Sequence, residues 1–358
     1  MKISDLNLEN FRNFDTISLK FTAPVTLILA PNTSGKTNIL EAIFYLATSR
    51  SFRADLEQEI IQRDKNFCNI EGRASNANGD VSLRIFLQKS SEELPLAQKR
   101  LEVNGVSRRS TTFIANFHAV LFTPEDLNLI SESPSRRRKY LDTVLSQISP
   151  DYHTAISQYQ KIITQRNKLL EKIRENNTTI EQLYYWNDKL LKLGKLIYDQ
   201  RKDMMEIYNG EMKIVGSDLH SKGKDLALIY YPSILTAERL SSYQKKEIDS
   251  GQSLIGPHRD DFAFYWRGMD LEKYGSRGEQ RLGILALKIA ELHFIEQKTT
   301  ERPVLLLDDI FSELDEVHRK NLTQLFKNQQ TIITSTEEEV VDSVKQAAES
   351  EIIELKRS

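Results

Sequence analysis

Hydrophobic and polar positions along this chain change period several times, and each change predicts an element. From 2 to 21 they alternate around Asn10-Phe11-Arg12-Asn13-Phe14, which predicts two strands. Val25-Thr26-Leu27-Ile28-Leu29 is apolar on both faces, so it predicts a buried strand, followed by a tight loop and an apolar helix. Further β signals lie at 67–74, 81–88 and 100–103, with Asn78-Gly79 and Asn104-Gly105 as hairpin turns. Residues 118–123 predict one more buried strand.

The period lengthens at Pro124. From there to about Gln200 the chain is helical, interrupted at Pro134 and Pro150. Apolar positions at Tyr152, Ile156, Tyr159, Ile163 and Leu170 fall near helical spacing, and 180–208 repeat the pattern. The two stretches predict an antiparallel helical hairpin, an arm of roughly 45 Å at 1.5 Å per residue. Strand 226–231, helix 237–246, strand 261–266 and a strong helix over 276–297 follow. The chain closes with strands at 303–307, 331–333 and 352–355 and helices at 316–327 and 338–349, an alternation that implies a parallel sheet. The expected fold is therefore α/β, with a mixed arrangement of parallel sheet and antiparallel β layer plus a helical arm. The expected domains are 1–123, 124–248 (the arm) and 249–358.

Composition narrows the class. The chain has 358 residues, enough for two compact units, and its net charge of −2 excludes a global basic field. Any nucleic-acid contact must come from a local patch. A single cysteine, Cys68, excludes an internal disulfide and a cysteine-based zinc site. No apolar run approaches the ~20 residues of a membrane span, and the first residues read as strand rather than signal peptide, so a soluble cytoplasmic protein with no membrane partner is expected.

The stretch with chemistry in it is Ala30-Pro31-Asn32-Thr33-Ser34-Gly35-Lys36-Thr37, a Walker A loop with alanine at the first glycine position. Its amides and the following helix terminus favour phosphate, Lys36 reaches the β- and γ-phosphates of ATP, and the Thr37 hydroxyl ligates Mg²⁺. Without strand and helix on either side it would be a chance turn containing a lysine. Val304-Leu305-Leu306-Leu307-Asp308-Asp309 is the Walker B counterpart: Asp308 for Mg²⁺, Asp309 to orient or deprotonate water. Alone it would read as a strand capped by two surface acids. Ser276, Gly278 and Gln280 open the strong apolar helix, either as an ordinary N-cap or as a second anion site. The order Walker A, long insertion, Ser-x-Gly-x-Gln, Walker B is the layout of an ABC-type ATPase, in which the Ser-x-Gly segment serves a partner's nucleotide. One chain carries one of each, which implies an ATP-dependent homodimer.

Asn10-Phe11-Arg12-Asn13-Phe14, Ser51-Phe52-Arg53, Pro124-Glu125-Asp126-Leu127, Pro134 to Asp142, Gly256-Pro257-His258-Arg259-Asp260-Asp261 and Leu307 to Asp315 together resemble the bacterial RecF recombination and repair proteins, in order and over nearly the whole chain. The resemblance implies an SMC-like ABC ATPase head with a short arm that binds DNA with ATP, dimerises, and acts with RecO and RecR type mediators to help load recombinase at gapped DNA or single-stranded/duplex junctions. By the same likeness, residues 30–37 bind phosphates, Arg53 lies near the nucleotide, Ser276, Gly278 and Gln280 read the opposite nucleotide, and Asp308 and Asp309 serve metal and water. Ala30, Thr33 and Ser34 depart from the usual loop residues, and Arg277-Gly278-Glu279 varies the signature.

Weaker signals remain. Arg136-Arg137-Arg138-Lys139 is the densest basic run and Arg108-Arg109 a second, each either a solvated face or a DNA contact. Tyr184-Tyr185-Trp186 reads as core or hairpin packing more than as a base-stacking platform. The Gly256–Asp261 stretch (256–261) suits a structural turn or an interface segment. Three functions fit: an ATP-dependent DNA-binding repair factor with slow, DNA-stimulated hydrolysis, an ABC-type ATPase subunit of another machine, and a nucleotide-gated scaffold without significant hydrolysis.

Overall fold

The computed structural model describes residues 1–90, 97–219, 225–314 and 316–355. They pack as two compact units, residues 1–128 with 284–358 and residues 129–283.

The first unit begins with the hairpin β1 (Lys2–Phe11) and β2 (Phe14–Lys20), then β3 (Val25–Leu29), which feeds α1 (Lys36–Thr48). β4 (Phe67–Asn76), β5 (Gly79–Lys89), β6 (Ala97–Val103) and β7 (Val106–Arg108) follow, then the short α2 (Ser110–Ile114) and β8 (Ala119–Phe122). The β4–β5 turn falls one residue before the expected position, at Ala77-Asn78 between paired Asn76 and Gly79. The β6–β7 turn is Asn104-Gly105 as expected, both at positive φ (52° and 74°), the type I′ combination that suits strand twist.

The second unit holds the arm. Pro134 and Pro150 begin helices rather than break them: each sits at the first position of α3 (Pro134–Ile148) and α4 (Pro150–Arg174), where its missing N–H costs nothing. α5 (Leu183–Leu219) runs 37 residues, ~55 Å and longer than the sequence suggested. β9 (Leu226–Tyr231), α6 (Ala237–Ser250), β10 (Asp261–Trp266), β11 (Met269–Asp270) and α7 (Leu271–Tyr274) complete the unit, and α8 (Arg277–Thr299) begins in it. The expected boundary after 248 lies inside this unit, because β10 pairs antiparallel with β9 along its whole length, Asp261 opposite Tyr231 to Trp266 opposite Leu226. At the arm tip Trp186 packs on Leu169, Leu170, Ile173 and Leu183, whereas Tyr184 and Tyr185 are 64% and 57% exposed. The packing expectation therefore holds for the tryptophan alone.

The chain then returns to the first unit through β12 (Val304–Asp308), α9 (Glu316–Gln324), β13 (Thr331–Ser335), α10 (Glu339–Ala347) and β14 (Ser350–Glu354). These strands form, among the described residues, a five-stranded sheet in the order β14-β3-β13-β12-β8 with every pairing parallel. The antiparallel layer is six-stranded, β2-β1-β4-β5-β6-β7. α1 packs in the core between residues of both sheets. Ile39, Leu40, Ile43, Tyr45 and Leu46 join Leu6, Ile70 and Ile85 of one and Ile28, Leu306 and Ile332 of the other. Each such side chain contributes on the order of 2 kcal/mol of apolar burial, which fixes the axis along which the phosphate loop is presented.

Candidate functional site

The parallel sheet brings the two Walker stretches together. β3 and β12 are both neighbours of β13, so their carboxyl ends lie side by side, and the loop after β3 faces the acids after β12. The loop's positive φ values fall at Thr33 (72°) and Gly35 (95°), not at Ala30. Ala30 therefore carries no conformational penalty, and the strain of the departure sits at Thr33, a β-branched residue in left-handed backbone. Gly35 has no substitute, since a Cβ there would come within 2.5 Å of Phe14 and 2.7 Å of Asn13.

Lys36 is 4% exposed, and its Nζ donates to the Ala30 carbonyl at 2.7 Å and lies 3.9 Å from the Asp309 carboxylate. Burial lowers its pKa, while Asp309 and Asp308 oppose that shift. The Thr37 hydroxyl donates to Asp308 Oδ1 at 3.0 Å, and the Thr334 hydroxyl donates to the same oxygen at 2.7 Å. Burial raises the Asp308 pKa, and these two hydroxyls pull it back. Asp309 takes left-handed backbone (φ 47°), fixed by its N–H donating to the Thr334 hydroxyl at 3.1 Å. Its carboxyl is also pushed up by burial and held down by Lys36.

Among the described residues there is no cluster of three or more His, Cys, Asp or Glu able to cage a metal. Thr37 and Asp308 instead offer two hard oxygens side by side, the donor set Mg²⁺ takes when phosphates and water complete its shell. Thr37 and Asp308 would hold such a cation, which would supply positive charge against the phosphates.

Sequence reasoning missed the layer behind the loop. Asn13 donates to the Ser34 carbonyl (3.4 Å) and accepts from Asn38 (2.7 Å), whose carbonyl oxygen accepts from Arg53 (2.8 Å). Arg12 grips the fully buried Glu41 through Nε at 2.9 Å, and Arg53 lies 3.8 Å from it. This network ties Arg53 to the phosphate loop through side chains of the β1–β2 turn and α1. The only sequence hint was the polar Arg12-Asn13 pair between two apolar strands. Thr334 was equally hidden, as one of three hydroxyl residues in the strand Thr331-Ile332-Ile333-Thr334-Ser335.

Ser276, Gly278 and Gln280 belong to the second unit. Ser276 and Glu279 form a reciprocal capping box. The Glu279 carboxylate accepts from Ser276 N–H (2.8 Å) and hydroxyl (2.9 Å), and Ser276 Oγ accepts from the Glu279 N–H at 3.3 Å. Gln280 donates to the Leu271 carbonyl at 2.8 Å, and a Cβ at Gly278 would meet nothing within 4 Å. Asp315, at the end of the acidic stretch after Walker B, lies outside the described residues.

The basic run of α3 is largely turned inward. Arg137 is 5% exposed and forks onto Asp261 at 2.6 and 2.9 Å, Arg138 donates to the Asp260 carbonyl at 2.9 Å, and Arg136 pairs with Glu132. Lys139 alone is exposed. Helical spacing puts Arg137 on the packed face, where Asp261 takes up its guanidinium. The 256–261 stretch is likewise a packed hub. A Cβ on Gly256 (φ 121°) would meet Tyr159 Oη at 2.3 Å, His258 sits between the Tyr159 hydroxyl and the Ser253 carbonyl, and buried Asp260 binds Arg201 at 2.8 Å.

The chain matches the RecF/RecN/SMC N terminal domain model over residues 2–354. It is 34% identical to the DNA replication and repair protein RecF of Oceanobacillus iheyensis over 94% of both chains, and 34% identical to that of Lachnoclostridium phytofermentans over 94% of this chain and 93% of that one. The chain belongs to the RecF family. Among solved structures it is similar to the recombination mediator protein RecF-ATP of the RecFOR pathway, with a TM-score of 0.86 at 32% identity over 94% of this chain and 92% of the other. An Smc head bound to the C-winged helix domain of ScpA superposes at 0.54 with 16% identity over 99% and 94%, which extends the fold, an SMC-like ABC ATPase head, beyond RecF. Within this RecF-family chain the Walker residues are therefore read on a known head architecture.

Proposed function

We propose that this chain is an ATP-dependent DNA-binding protein of recombinational repair and replication restart. In this reading it dimerises on DNA with ATP, hydrolyses it slowly, and works with RecO and RecR type mediators to help load recombinase at gapped DNA. The observation that carries the reading is the convergence of Lys36, Thr37, Asp308 and Asp309 at the ends of β3 and β12. A buried cation, two oxygens for a divalent metal and a second carboxylate held 3.9 Å from the lysine are the parts that phosphoryl transfer to water requires. Ser276, Gly278 and Gln280 supply the second half of each site from the partner chain. The relatives' names, RecF and the RecFOR pathway, support the repair setting.

The test is equilibrium binding to single-stranded, duplex and gapped DNA, each with and without ATP, alongside ATP turnover. Wild type should bind DNA more tightly with ATP, and Lys36→Ala should lose ATP binding and with it that gain. Asp309→Asn should keep ATP-dependent DNA binding and lose ~10²–10⁴-fold in turnover, the usual cost of a general base. DNA affinity indifferent to ATP in wild type overturns the reading.

A further inference from the structure

The inward turn of the α3 run leaves the chain's DNA contact unassigned, and the second basic run sits elsewhere in the fold. Arg108 ends β7 and Arg109 precedes α2. Ser49 closes α1 in left-handed backbone (φ 51°), and its hydroxyl lies 3.0 Å from that of Ser110. That bond brings Arg50 and Arg109, the chain neighbours of the two serines, to one place. Lys99 of β6 joins them, donating to the Ser49 carbonyl at 2.9 Å and pairing with Glu57. Arg108 pairs across the ladder with Leu101, two residues from Lys99, so alternation puts Arg108 and Lys99 on the same side of the sheet.

Arg50, Arg108 and Arg109 are exposed, and none makes an ion pair among the described residues. The one acid among the described residues of β6, β7 and α2 is Glu102, which faces Arg84 at 3.5 Å, and Glu57 is taken up by Lys99. Three uncompensated guanidinium groups thus crowd one corner of a chain whose net charge is −2. The end of α1 attracts cations through its dipole, but that attraction is satisfied within the last turn and does not call for three. The type I′ turn shapes the hairpin and the serine pair ties it to the end of α1. Val106 is the one large apolar side chain the corner exposes among the described residues, so the surface it offers is mainly cationic.

We infer that this corner, Arg50, Arg108 and Arg109 at the meeting of α1 with the β6–β7 hairpin, holds the phosphate backbone of DNA. The inference rests on the DNA-binding reading above and gives it a surface. Arginine forks bind phosphate oxygens in pairs without reading sequence, so the contact is electrostatic and salt-dependent.

Fluorescence anisotropy with labelled duplex and gapped DNA, ATP present, across a salt series tests it. Arg50→Gln/Arg108→Gln/Arg109→Gln should bind more weakly on every sequence, with the slope of log Kd against log salt reduced by about two to three, roughly one for each phosphate no longer neutralised. ATP affinity should not change, since the corner lies a 13-residue helix, ~20 Å, from Lys36, and unchanged affinity also certifies the fold. Arg100→Gln is the matched control, because Arg100 pairs with Phe86 on the opposite face of the same strand, and it should keep the wild-type slope. A triple variant with the wild-type slope overturns the assignment while wild-type binding keeps the functional reading standing, and so does an Arg100→Gln loss equal to that of the triple variant. A wild-type chain that binds neither DNA overturns both.

Discussion

Thr33 shows how one residue can hold strain inside a working loop. A β-branched side chain at φ 72° costs on the order of 1–2 kcal/mol relative to ordinary backbone. Thr33→Gly relieves that strain but adds freedom to the unfolded chain, so a net gain of up to ~1 kcal/mol is expected. Thermal unfolding should record a modest rise for this variant, and a fall would place the strain elsewhere. Two histidines make an opposite kind of point. Burial pushes both His118 and His258 down to about 4, and the neighbouring N-terminal ammonium or arginines push the same way. Their folded pKa lies below the unfolded ~6.5, so the unfolded chain binds more protons between those values and stability is lost as pH falls from 6.5 towards 4. Each histidine should cost about 2 kcal/mol by pH 5, read as a fall in denaturant midpoint between pH 7 and pH 5. His118→Phe should remove roughly half of that loss.

At the level of elements, polar side chains bind segments that apolar packing alone would leave loose. Asn209 of α5 pairs with both the N–H and the carbonyl of Leu228 at 2.8 Å, closing the free edge of β9. Arg137 ties α3 to β10 through Asp261, and Arg201 ties α5 to the 256–261 turn. Removing one partner leaves a charge in a buried place, which typically costs 3–5 kcal/mol. Arg137→Ala should therefore lower stability by about 3 kcal/mol, with the loss smaller if water reaches the half-buried Asp261. Calorimetry on this variant separates the two readings of the run: normal stability with weakened DNA binding would return Arg137 to the DNA surface.

For the whole molecule the consequential question is whether one chain or two completes the nucleotide site. The Ser276 hydroxyl and amide are engaged with Glu279 on a helix that opens in the second unit, whereas Lys36 and Thr37 lie in the first. If the partner's γ-phosphate docks at Ser276, ATP favours the dimer by its differential affinity for that state, and DNA binding follows by linkage. Ser276→Arg puts bulk and charge at the docking point. It should leave ATP binding by the single chain near normal while abolishing both ATP-dependent dimers and the ATP-dependent gain in DNA affinity. Sedimentation that finds this variant dimerising with ATP as wild type does would remove the two-chain site.

Local chemistry is what the sequence alone determined. The Gly35-Lys36-Thr37 loop between strand and helix, the two acids at the end of an aliphatic strand, the alternation of β1 and β2 and the helical period of the arm are all short-range patterns. Backbone geometry reads them the same way in any context. Tertiary structure decided everything that depends on what lies across the fold. Thr334 meets Asp308 because β13 lies beside β12, and Asn13 reaches the loop because the β1–β2 turn packs against Gly35. Arg137 faces inward because Asp261, 124 residues away, waits on the packed side of α3, while Arg109, next to the Ser110 whose hydroxyl meets that of Ser49, stays exposed. A charge run looks the same in sequence whether its partner is water, phosphate or a distant carboxylate. The difference is a matter of burial and of contacts far apart along the chain, which periodicity does not carry.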